Sequence, residues 1–163
     1  MNPIRESHFG AYLISTDQSK FQIDAIHDYL CYHSYWAKNI PKDVVKTAVL
    51  HSFGIGVYHM ESGRQVVFAR MGTDYSVFAY LADVYVLDDH QGKGLGKAMM
   101  SHLMEEPFTK KLRLLKLLTL DAHEIYRKYG YELPEKPNHF PVVTLSTNSF
   151  TRAFSFCTSS KGN

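Results

Sequence analysis

Three glycines, Gly92, Gly94 and Gly96, alternate with Lys93, Leu95 and Lys97 directly after Gln91. They stand between an apolar run ending at Leu87 and a helix-periodic run beginning near Gly94. Glycine inside a helical turn costs ~1 kcal/mol relative to alanine, so a cluster of three needs a reason. One reading is a flexible turn ahead of a helix. The stronger one is an anion cradle, in which backbone N–H groups approach phosphate oxygens at the positive end of a helix dipole. Lys93 and Lys97 add mobile positive charge beside it. The block is not a nucleoside-triphosphate loop, because Gln91 stands where that motif needs glycine and Ala98 where it needs Ser or Thr. A dinucleotide fingerprint fails too, since Lys97 occupies the place of its last glycine.

Other chemistry-bearing types are less organised. His27 and Cys31 are four apart with His33 close by, but no second pair of zinc ligands has matching spacing, so no metal is expected. Cys31 and Cys157 form no C-x-x-C pattern and read as free thiols of a reducing cytoplasm.

The elements around the cradle follow from periodicity. Phe9–Ser15 reads as one strand with Tyr12 and Ile14 on one face, ending at Asp17 as an N-cap. Helical spacing runs from Phe21 to Tyr32, and Ser34–Pro41 is a loop rich in aromatic surface. Pro41 opens a helix that turns Val44, Val45, Ala48 and Val49 inward. Phe53–His59, Arg64–Met71 and Val77–Leu87 are strand-like runs joined through Glu61-Ser62-Gly63 and Gly72-Thr73-Asp74. A helix follows from about Gly94 to Glu106, with Leu95, Met99, His102 and Leu103 on one side. Leu112–Leu120 fits helix or strand by pattern, and its place between two helices favours a buried strand. Asp121 caps a short helix, Ala122–Tyr129, that stops at Gly130, and Tyr131 onward adds a strand or two.

Composition bounds the class. The 163 residues amount to one domain, read as 1–163, and 45% hydrophobic with 21% charged types is a globular balance. A formal net charge of +2 is too mild to point to nucleic acid. Arg113 and Lys116 cut the longest apolar stretch, and Arg5, Glu6 and His8 stand where a signal peptide would carry its apolar run. No membrane partner is expected, and a homodimer is left open.

Gln91-x-x-Gly94-x-Gly96 after a strand and before an amphipathic helix resembles the signature of the GNAT superfamily of acetyl-CoA-dependent N-acetyltransferases. Further on, Asp121-Ala122-His123-Glu124-Ile125-Tyr126-Arg127-Lys128-Tyr129-Gly130-Tyr131 is similar to the family's closing helix. The likeness is strongest over residues 80–133. It implies an α+β fold: a mostly antiparallel central sheet splayed between two parallel strands, Val77–Leu87 and Leu112–Leu120, flanked by about four helices.

The resemblance also implies an activity, transfer of an acetyl group from acetyl-CoA to a primary amine on a small molecule or a protein. Pantetheine would lie along Val84, Tyr85 and Val86, the Val84 N–H would polarise the thioester carbonyl, and the diphosphate would sit on the amides of Gln91, Gly92, Lys93, Gly94, Leu95, Gly96 and Lys97. Tyr126 matches the family's general acid. Asp83 could act as base, bind the acceptor's ammonium, or pair with a basic side chain such as Arg70. Strand alternation places Asp83 and Tyr85 opposite Val84 unless a bulge rotates the strand. Asp88 and Asp89 read as solvated charges, and His90 and His123 as surface residues flanking the cradle. Tyr35 and Trp36 lead the candidates for the acceptor site, with Ser52, Phe53, Arg70 and Asp74 behind them. A non-catalytic acyl-CoA sensor is the alternative.

Overall fold

The structure, a computed structural model, describes residues 3–117 and residue 127. The chain divides into two compact units, Met1–His123 and Glu124–Asn163. Of the second, only Arg127 is described, and it is helical.

Among the described residues, six strands form one sheet in chain order: β1 (Glu6–Phe9), β2 (Tyr12–Ser15), β3 (Phe53–His59), β4 (Gln65–Thr73), β5 (Phe78–Val86) and β6 (Leu114–Leu117). The first five pair antiparallel and β6 lies parallel to β5, from Phe78↔Leu114 to Leu81↔Leu117. This is the α+β sheet expected from the sequence, with the strand reading of Leu112–Leu120 borne out over Leu114–Leu117.

The single strand read over Phe9–Ser15 is instead a hairpin. Gly10 takes φ +57 and the chain reverses between Phe9 and Tyr12, which face each other across the turn. Alternation within Tyr12–Ser15 was legible, and Tyr12 and Ile14 are buried; the turn inside the run was not.

Helices cover the sheet. Asp17 accepts the Ser19 N–H at 2.9 Å, but the element it caps is a single 3-10 turn, Gln18–Lys20. The helix expected from Phe21 to Tyr32 is α1 (Ile23–Asp28), which widens into a π turn over Tyr29–His33. Pro41 precedes α2 (Lys42–Leu50). Val45 and Val49 face inward as expected, whereas Val44 is 46% exposed, because successive helical residues point ~100° apart. The third helix, α3, spans Leu95–Met104. The fourth helix expected, Ala122–Tyr129, lies outside the described residues apart from Arg127.

Phe21, Ile26, Leu30, Val45 and Val49 pack with Tyr58, Phe68 and Tyr85 of the strands into one cluster. Phe21 meets Phe68 edge-on at 5.4 Å, and Tyr29 stacks on Tyr85 at 3.9 Å. Next to Tyr85, and so on the other face of β5, Val86 points toward α3: a Cβ at Gly96 would lie 3.6 Å from its Cγ2. Leu95, Met99, Met100 and Leu103 bury the inner side of that helix. His102 shares that buried side, as its spacing indicated, with Nδ1 3.1 Å from the Ser7 hydroxyl. Arg5 Nη1 reaches the buried Glu106 carboxylate at 3.3 Å, so two polar contacts bind the first hairpin to the α3 region. Burial raises the Glu106 carboxyl and lowers the His102 imidazole from their ordinary pKa values, each group being held toward its neutral form.

Gly54 on β3 is demanded by this packing. A Cβ there would lie 2.5 Å from Phe21 Cε2 and 2.7 Å from its Cζ. Gly54→Ala should therefore cost about 1–3 kcal/mol of stability through a displaced Phe21 ring, measured by urea unfolding. An unchanged midpoint would show that the ring moves freely.

Candidate active site

The antiparallel register of β4 and β5 breaks once near the middle. Phe68 faces Tyr85 and Arg70 faces Ala82, so Asp83 and Val84 together oppose the single residue Ala69. That is a β-bulge, the local rotation that simple alternation left open. Within it Asp83 has φ +54, in the left-handed region. Asn39 and Tyr75 share that sign but lie outside the strands; Asp83 alone among the described non-glycine residues takes it inside one. Its carboxylate accepts from Arg70 Nε through Oδ2 and from Trp36 Nε1 at 3.3 Å through Oδ1. Both charged side chains are largely withdrawn from solvent, Arg70 to 22% and Asp83 to 13% exposure. Of the three roles expected for Asp83, pairing with Arg70 is the one the structure displays. Trp36 joins it with Tyr35 edge-on at 4.9 Å, so the aromatic loop does reach the bulge.

Beyond the bulge the strand leads into the glycine turn. Val84 and Val86 are half-buried, Tyr85 is buried, and a 3-10 turn over Asp88–His90 follows. Gln91, Gly92, Lys93 and Gly94 are all exposed. Gly92 has φ +73 and Gly94 φ +79, a conformation in which a Cβ would be strained. Gly94 is the N-cap of α3, and no side chain bonds to the cap. The first amides of a helix have no acceptor within it, so those of Leu95 and Gly96 are donors at the positive end of the dipole. A Cβ at Gly92 would meet no atom within 4 Å, so the space beside the turn at that residue is open.

Side chains brace the turn from below. Gln91 Nε2 donates to the Val86 carbonyl at 3.2 Å and to Asp88 Oδ1 at 2.9 Å, latching the turn to the strand it leaves. Lys93 is exposed, but its ammonium donates to the Asp89 carbonyl at 3.0 Å, so it is tethered rather than mobile. Asp89 is not only solvated: it pairs with Arg64 Nη1 at 3.3 Å. His90 is no surface residue. Its side chain is 13% exposed, its Nδ1 lies 2.9 Å from the Tyr12 hydroxyl, and burial lowers its pKa. From β1, Phe9 Cζ stands 3.6 Å from where a Gly94 Cβ would be.

The weaker acceptor-site candidates have structural roles. Ser52 donates to the Ala48 carbonyl at 2.6 Å and ends α2, and Phe53 is buried against Phe108. Asp74 Oδ1 accepts from the amides of Ser76, Val77 and Phe78, which builds the β4–β5 turn and lowers its pKa. Residues 118–126 and 128–163, including Tyr126, Asp121, His123 and Cys157, lie outside the described residues. Cys31 is buried, and His27 Nε2 lies 3.1 Å from the Ile40 carbonyl oxygen. Among the described residues no group of three His, Cys, Asp or Glu could hold a metal, and no helix is long and apolar enough to cross a membrane.

Sequence reasoning missed the Gln91 latch, the Trp36–Asp83 bond and the Tyr12–His90 contact. The first had a local signal, since Gln91 lies three residues from Asp88 in a turn. The other two join residues 47 and 78 positions apart and leave no such trace.

Comparison with known proteins agrees with this geometry. The model of the acetyltransferase (GNAT) domain matches residues 53–133. A presumptive acetyltransferase of Gibberella zeae is 35% identical over 137 residues, 73% of this chain and 77% of that protein. An N-acetyltransferase of Porphyra purpurea, itself uncharacterised, is 34% identical over 63% of this chain and 60% of its own length. The crystal structure of a presumptive acetyltransferase of the GNAT family from Xanthomonas campestris superposes with a TM-score of 0.79 at 40% identity, over 85% of this chain and 96% of that one.

The Gln91 latch is testable by itself. Removing two exposed hydrogen bonds of about 1 kcal/mol or less each should loosen the turn but not the core. In Gln91→Ala, amide exchange at positions 90 and 91, whose N–H groups bond the Leu87 and Asp88 carbonyls, should speed up about five- to tenfold with the urea midpoint unchanged. Unchanged exchange would mean that the glycine backbone holds its shape without the side chain.

Proposed function

This chain belongs to the GNAT superfamily of acetyltransferases and is an acyltransferase enzyme, and from that premise we propose that it moves an acetyl group from acetyl-CoA to a primary amine by direct attack in a ternary complex. The observation that carries the reading is the uncapped N-terminus of α3 behind two left-handed glycines, continuous with a strand whose backbone is rotated at Asp83-Val84. These residues fit the co-substrate. The amides from Gln91 to Lys97 would hold its diphosphate, and the backbone of Val84, Tyr85 and Val86 its pantetheine arm.

Acetyl-CoA supplies an activated acyl group; the protein supplies position and polarity. The Val84 N–H polarises the thioester carbonyl, a contribution of ~3–4 kcal/mol for a preorganised donor. An alkylamine near pKa 10 arrives protonated, so a base or a water relay must take a proton before attack. Tyr126 returns a proton to the departing thiolate, a transfer between groups of pKa near 10 and 8.5. Tyr35 and Trp36 border the acceptor, a small-molecule or protein amine. Cysteines without a pairing pattern suit a cytoplasmic enzyme.

Acetyl-CoA should raise the melting temperature with the logarithm of its excess over the dissociation constant, while NAD and ATP should not. A panel of amines should then release free CoA thiol. No stabilisation by acetyl-CoA would end this reading; stabilisation without thiol would make the protein a binding module. Tyr126→Phe should slow turnover by ~10²–10⁴ with the acetyl-CoA melting shift retained. Equal rates would remove Tyr126 from the reaction.

A further inference from the structure

Asp83 poses a question that the reaction does not answer. Left-handed backbone disfavours a residue with a Cβ by roughly a factor of ten in population, and glycine is free of that penalty. A strained residue inside a strand persists only where its surroundings hold it. Here the holding groups are visible. Arg70, from the neighbouring strand, engages one carboxylate oxygen, and the indole N–H of Trp36, from the loop between α1 and α2, engages the other. The two donors approach from separate elements, and little solvent reaches the pair. A carboxylate already accepting from a guanidinium and an indole is poorly placed to collect a proton from an incoming amine. The half-buried Tyr80 faces the same pair: burial raises its pKa, the Asp83 charge adds to the rise, and Arg70 opposes it.

We propose that Asp83 is a positioning residue: Arg70 and Trp36 grip its carboxylate, hold the left-handed bulge, and so fix the backbone amide of Val84. The inference rests on the acyl-transfer reading above, and it assigns to Asp83 neither the base nor the ammonium contact. The bulge itself requires only a residue that accepts φ +54. The clamp is what lets an aspartate serve there.

The test compares two truncations of the same side chain in the full-length protein, by thiol release from acetyl-CoA with an accepted amine. Asp83→Ala loses the grip while keeping the Cβ, and should lower kcat about 100-fold with KM for acetyl-CoA within threefold. Asp83→Gly loses the grip and the strain together, and should recover at least tenfold of that loss, with the pH dependence of kcat unshifted. Arg70→Ala should lower kcat in the presence of Asp83 but add little to Asp83→Gly, because the partner it holds is gone. Urea unfolding of each variant confirms that the assayed protein is folded. If Asp83→Gly falls as far as Asp83→Ala, or loses the acidic limb of the pH profile, the carboxylate acts on the reactants and the proposal is overturned. If Asp83→Ala matches the wild type, the bulge needs no clamp and the proposal fails as well. A wild type that releases no thiol with any amine removes the acyl-transfer reading first, a result plainly different from an active wild type with equal variants.

Discussion

A helix that begins without a cap sets the terms for the site. The amides at the start of α3 need acceptors, and Gly94 has no side chain to offer one. Ser, Thr, Asp or Asn at that position would satisfy a donor internally, stabilising the helix by ~1 kcal/mol while closing the donors to anything else. Gly92 and Gly94 at positive φ shape the exposed turn that leads into those donors, a backbone that a Cβ would strain. The turn forgoes local stability for a concentrated positive potential, a trade that makes sense where a polyanionic ligand supplies the missing acceptors.

Such a turn must be held by what surrounds it. Gln91 ties it to Val86 of β5, Tyr12 of β2 bonds His90 at its entrance, and Phe9 of β1 approaches Gly94. The buried side of α3 then fixes the helix against the sheet through Leu95, Met99, Met100 and Leu103. Segments far apart in sequence thus converge on one short stretch of backbone. The hairpin that appeared in place of a single first strand is part of this support, since its reversal at Gly10 brings Phe9 within reach of the glycines.

Legibility in the sequence tracked the range of the interaction concerned. The glycine turn, the helix after it and the strand before it were readable because backbone conformation there is dictated by Gly92, Gly94 and the local period. The inward placement of Val45, Val49, Met99 and Leu103 followed from helical spacing for the same reason. What escaped were reversals inside an apolar run, as at Gly10, and pairings between distant polar side chains, as between Trp36 and Asp83. His90 was misjudged because histidine is common at surfaces, and only the tertiary fold brings Tyr12 over it. The bulge at Asp83 was foreseeable as an option and no more, since alternation predicts a regular strand and strain leaves no compositional mark.

The two ends of β5 therefore follow different logic. At its C-terminal end, glycine provides unusual backbone without penalty, and the neighbouring side chains only steady it. At Asp83, unusual backbone is imposed on a residue that resists it, and part-buried polar contacts must oppose the strain. Contacts of that kind are stiff, because a half-satisfied carboxylate in a dry site costs more than a fully satisfied one. A group whose task is to orient a single amide benefits from such stiffness, whereas a phosphate cradle, spread over several amides, tolerates small displacements of each. Under the acyl transfer proposed above, glycine at the diphosphate end and a gripped aspartate at the acyl end would match the different precision the two tasks require.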